Sequence, residues 1–123
     1  MATGGWALTA RYKLRVANLS VDCPIVTSDE AISREAILEK AIDASLCFYG
    51  VKDFRRTVSI GDGVWDVKAA RSLGLPFVGI GRGAGAERLL RLGASHVLPD
   101  YRDLDAVFRA MNDALEPQPH EPG

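Results

Sequence analysis

Cysteine is scarce in this chain of 123 residues, with only Cys23 and Cys47, and their separation fits no metal-ligand pattern. Two such residues in a chain without an export signal read as reduced thiols in a cytoplasmic protein. Met1 to Ala10 lacks a basic start followed by a continuous apolar core, so no secretory signal is expected there. No apolar run approaches the roughly 20 residues that span a bilayer, which excludes a membrane helix by composition. An excess of one charge is also lacking. Fifteen Lys and Arg face sixteen Asp and Glu, for a net charge of −1. That balance argues against a dedicated nucleic-acid binder and against a polybasic membrane binder. Histidine is equally sparse. His96 and His120 have no second ligand nearby, so neither supports a metal site.

What is present is ordinary globular composition, 47% hydrophobic and 25% charged, at the length of one domain. Residues 1–115 read as one core. The tail, 116–123, holds three prolines and no aliphatic residue, so it is expected to be disordered. Between the ends, β-rich runs alternate with helical periodicity. Strands are expected near 25–28, 57–60, 76–80 and 96–98. Helices are expected over Trp6 to Ala17, from Ser33 onward, over Val64 to Leu73 with Gly74 as C-cap, over Ala86 to Leu92, and over Leu104 to Leu115. Alternation of this kind implies parallel strands joined by crossovers, an α/β fold with helices on both faces of the sheet. Ligands bind such sheets at the carboxyl ends of the strands.

Two places there carry chemistry. In Ile60-Gly61-Asp62-Gly63-Val64-Trp65-Asp66, two carboxylates flank a glycine-bearing loop between a strand and a helix. A spacing of four lets both face one point, and hard oxygen ligands of this kind suit Mg²⁺ with substrate phosphate. The plainer reading is a turn aspartate followed by one that favours the helix dipole. The second place is Thr3-Gly4-Gly5-Trp6, where a hydroxyl, two glycine amides and a helix start form a cradle for an anion. Its plainer reading is an N-cap. Trp65 reads as packing against the sheet, with a polar partner for its indole if buried.

Together these residues resemble the haloacid dehalogenase superfamily of phosphohydrolases, in its phosphoglycolate-phosphatase-like branch. Ala2-Thr3-Gly4 is similar to the family's second motif and Ser33-Arg34 to its third. Gly61-Asp62 with Asp66 is similar to its fourth, and Ala69 to Gly79 and Gly93 to Val97 resemble the stretches that follow. The resemblance implies a Rossmann-like three-layer α/β/α sandwich, incomplete at its N-terminal central strand. It implies a phosphoric monoester hydrolase that uses Mg²⁺ on a small phosphorylated metabolite. Thr3 and Gly4 would bind phosphate, and Arg34 would neutralise charge where the family more often has Lys. Asp62 would hold the metal, and Asp66 would bind a metal water or orient the basic residue.

One family element is missing. The nucleophilic D-x-D motif should precede Thr3, and only Met1 and Ala2 do. The one D-x-D present, Asp103-Leu104-Asp105, stands at a helix start near the C-terminus. The cap that selects substrate is missing too. The chain is therefore expected to be inactive alone, to be completed by another chain, or to act as a non-catalytic subunit that keeps a phosphate and Mg²⁺ pocket. A third pattern, Gly79-Ile80-Gly81-Arg82-Gly83-Ala84 with Asp100 about twenty residues on, imitates a dinucleotide-binding fingerprint. Too few strands follow it to complete such a fold.

Overall fold

The structure is a computed structural model that describes residues 1–3, 7–18, 23–29 and 33–119. The chain forms two compact units, Met1–Arg55 and Arg56–Gly123.

In the first unit, Ala2 and Val26 form a single parallel bridge, with the Thr3 amide donating to the Val26 carbonyl at 2.9 Å. Helix α1 spans Ala7–Val16 and α2 spans Arg34–Tyr49. Trp6, the expected first residue of α1, lies outside the described residues. The strand expected at 25–28 is reduced to that bridge. Pro24 has no amide to donate, and a turn at Ser28 and Asp29 ends the extended run. Ser33 caps α2 as its sequence position suggests, its hydroxyl accepting from the Ala36 amide at 3.1 Å. Val26, Ile37 and Ala41 form the apolar core of this unit, with Ala2 and Ala44 against them.

The second unit is built on a parallel sheet of β1 (Ser59–Gly61), β2 (Phe77–Ile80) and β3 (His96–Leu98), in that spatial order. Its register pairs Gly61 with Gly79 and Gly79 with Val97. Helix α3 (Val64–Leu73) connects β1 to β2, α4 (Ala84–Arg91) connects β2 to β3, and α5 (Leu104–Asp113) follows β3. Side chains alternate across the strands. Phe77 and Val97 pack with Val67, Ala70 and Leu89 of α3 and α4, whereas Val78, Ile60 and Leu98 pack with Ala110 and Met111 of α5. Helices thus cover both faces of the sheet, as the period of two along each strand requires. Gly74 ends α3 in the left-handed conformation at φ 66°, the expected C-cap.

Several ends differ from expectation: β1 runs Ser59–Gly61 where 57–60 is expected, α1 stops at Val16 where Ala17 is expected, and two helices differ more. Helix α4 begins two residues early, at Ala84. Helix α5 stops at Asp113, because Ala114 turns extended and carries the Leu115 carbonyl to the Phe77 amide at 3.1 Å. Beyond it, residues 116–119 form no helix or strand, as their prolines require. They are nevertheless tied down. The Arg71 guanidinium donates to the carbonyls of Leu92, Pro117 and Gln118, and Pro117 is buried. The expected disorder therefore does not begin at Glu116. Residues 120–123 lie outside the described part.

Among the described residues, no helix is long and apolar enough to cross a membrane.

Candidate functional site

Asp62 follows the last residue of β1 directly, so it stands at the carboxyl end of a parallel strand. It is exposed. One residue later, Gly63 is the N-cap of α3 in extended conformation. Asp66, the third helical residue, folds back over this loop, and its Oδ2 accepts the Gly63 amide at 3.0 Å. This is the half of a capping box in which a glycine can take part. The fold-back needs space. A Cβ placed on Gly61 would lie 2.6 Å from the Asp66 Cβ, Cγ and Oδ2. Glycine at 61 is therefore what lets the Asp66 carboxylate sit there.

The local chemistry follows. The carboxylate of Asp66 lies at a helix N-terminus, where backbone amides and the dipole favour negative charge. Asp62 presents its own carboxylate to solvent on the same loop. Two hard oxygen donors thus stand on one loop, Asp62 exposed and Asp66 engaged by the Gly63 amide. Among the described residues, no group of three or more His, Cys, Asp or Glu side chains is placed to hold a metal by itself.

Thr3 and Arg34 belong to the unit Met1–Arg55, and Asp62 and Asp66 to the unit Arg56–Gly123. Thr3 continues the extended segment paired with Val26, and Arg34 is the first residue of α2, exposed after the Ser33 cap. Gly4 lies outside the described residues. No protein-family model matches the chain, nor does any curated protein or solved structure.

One residue escaped the reading of the sequence. Asp29 accepts the Ala7 amide at the start of α1, at 3.3 Å, while its own amide donates to the Thr27 hydroxyl at 3.3 Å. The chain thus supplies an anion of its own to the helix start read as an anion cradle. Its one sequence signal was Thr27-Ser28-Asp29, a polar turn closing an extended run.

The glycine pattern after β2 has a different chemistry. Arg82 pairs with the Asp100 carboxylate, which also accepts the Arg102 amide at 2.9 Å. That amide most of all, with help from the nearby Arg82 guanidinium, holds the Asp100 carboxyl below its usual range against the opposing effect of burial. The acid that would receive a ribose in a dinucleotide site is engaged by two arginines of its own chain.

Proposed function

We propose that this chain is the later part of a phosphohydrolase core of the haloacid dehalogenase type, with a Rossmann-like three-layer sandwich, and that it binds small phosphate monoesters with Mg²⁺. The observation that carries this reading is the loop after β1. Asp62 is exposed at a strand's carboxyl end, with Asp66 folded onto a glycine that leaves room for it. In this reading Asp62 holds the cation and Asp66 fixes a metal water or the basic residue. Thr3 and Gly4 bind phosphoryl oxygens, and Arg34 neutralises the charge that develops on them. The free thiols of Cys23 and Cys47 fit a reducing, cytoplasmic setting.

These 123 residues bind a phosphoryl group rather than turn it over. Hydrolysis of this type needs an aspartate to attack phosphorus and a second to move the proton. One D-x-D occurs within these 123 residues, Asp103-Leu104-Asp105. In it, Asp103 is the N-cap of α5, its carboxylate accepting the Ala106 amide at 3.1 Å.

The test has two readouts. Mg²⁺ added to ¹⁵N-labelled protein is expected to shift the amides of residues 61–66, and Asp62→Ala is expected to abolish the shift. Phosphate release from small monoesters is expected to be absent, because the groups of such a site act as a unit. Turnover that disappears in Asp62→Ala would overturn the non-catalytic reading. Mg²⁺ shifts that survive Asp62→Ala would overturn the metal assignment.

A further inference from the structure

Trp65 does not pack against the sheet. It is 64% exposed, although Val67, two residues on, is completely buried. The indole is the second residue of α3, set between Asp62 and Asp66 in the chain. The core does not call for it there. Tryptophan is only a moderate helix former, and an indole left in water forgoes the large apolar burial that normally retains it. One turn along, the Lys68 ammonium lies 4.8 Å from the ring centroid. An exposed π-face, an ammonium and a solvent-facing carboxylate thus share one strand end and the helix turn after it.

Each of these takes a different part of a ligand. The carboxylate takes a divalent cation, and through it a phosphate. The ammonium takes phosphate oxygens as a point charge. The indole takes a planar ring, and a stacked base holds an indole more strongly than an exposed lysine does, so the ring displaces Lys68 toward the phosphate.

We propose that Trp65 is the wall on which the base of a nucleoside monophosphate stacks while its phosphate lies on the Mg²⁺ held at Asp62. The inference rests on the phosphate reading above and names the substrate class for that site. Phosphates that carry a planar base are its ligands, and sugar phosphates without a base bind through the phosphate alone.

The chain has two tryptophans, so Trp6→Phe leaves Trp65 as the single emitter. In that background, with Mg²⁺, adenosine 5′-monophosphate is expected to quench the fluorescence saturably. It is expected to bind about tenfold more tightly than ribose 5-phosphate, a typical gain from one stacked base. Trp65→Ala should bring the two affinities together without weakening ribose 5-phosphate, and Trp65→Phe should restore part of the difference. Because Trp65 is exposed, both variants are expected to keep the parent circular dichroism. Equal affinities in the parent, or a preference that survives Trp65→Ala, would overturn the proposal while leaving the phosphate reading standing. So would sedimentation showing that Trp65 is buried between two copies of the chain, with Trp65→Ala releasing monomers. If neither ligand binds and Asp62→Ala changes nothing, both readings fall together.

Discussion

Gln118 and Gly93 are interlocked through their backbones. The Gln118 amide donates to the Gly93 carbonyl at 3.1 Å, and the Gln118 carbonyl oxygen stands 1.9 Å from where a Cβ on Gly93 would be. Gly93 itself sits at φ 107°, a conformation that side chains rarely adopt. Only glycine at 93 lets the C-terminal segment lie against the end of α4.

Gly93→Ala is therefore expected to destabilise the chain by about 1–3 kcal/mol, from backbone strain together with the displaced tail. Urea unfolding measures the loss, and hydrogen exchange at the Gln118 amide should accelerate in parallel. The same substitution in a chain ending at Leu115 should cost less, because the collision is gone and only the strained φ remains. Equal losses in the two backgrounds would show that the tail contributes nothing at this position.

The loop at 61–66 makes a sharper prediction. Gly61→Ala places a methyl group inside the space of the Asp66 carboxylate, so Asp66 must leave and its bond to the Gly63 amide must break. Loss of a cap of this kind costs about 1 kcal/mol, and the displacement adds to it. Asp66→Ala should lose the cap alone. In the double variant the second change should therefore cost less than it does singly, and additive losses in a thermodynamic cycle would contradict the contact. Mg²⁺ shifts at residues 61–66 should weaken in Gly61→Ala even where the fold survives.

Asp100 contributes to the behaviour in acid. The Arg102 amide lowers its carboxyl most, burial opposes it, and the Arg82 guanidinium adds to the lowering. The sign follows from linkage. A carboxyl depressed in the folded state adds stability above its unfolded pKa, and that stability is lost as pH falls through the folded value. A ¹³C titration should place the Asp100 midpoint below that of ordinary aspartates, and Arg82→Ala should raise it. A midpoint unmoved by Arg82→Ala would assign the shift to the backbone amide alone.

Much of the architecture was legible along the chain. The Ser33 cap, the Gly74 stop, β3 at His96–Leu98 and α3 at Val64–Leu73 came from capping chemistry and periodicity, which act over one or two turns. The aspartate pair was legible too, because its members stand four positions apart and the glycines at 61 and 63 are part of the pattern. Legibility failed at strand ends. Val26 looks like a strand residue by composition, but whether a ladder forms depends on what lies beside it, and one bridge to Ala2 is all that the described residues form there.

Local chemistry thus determined where the capped helices begin and end, that the strands would run parallel, and which loop holds two carboxylates. Tertiary structure alone decided the division at Arg55, the capping of α1 by an aspartate 22 residues on, the binding of the tail by Arg71, and the exposure of Trp65. The physical reason is range. A cap or an amphipathic face is settled by neighbours within a few residues. A carbonyl that accepts from a guanidinium 47 residues away has no such signature, because any exposed backbone oxygen could have served until the chain closed on it.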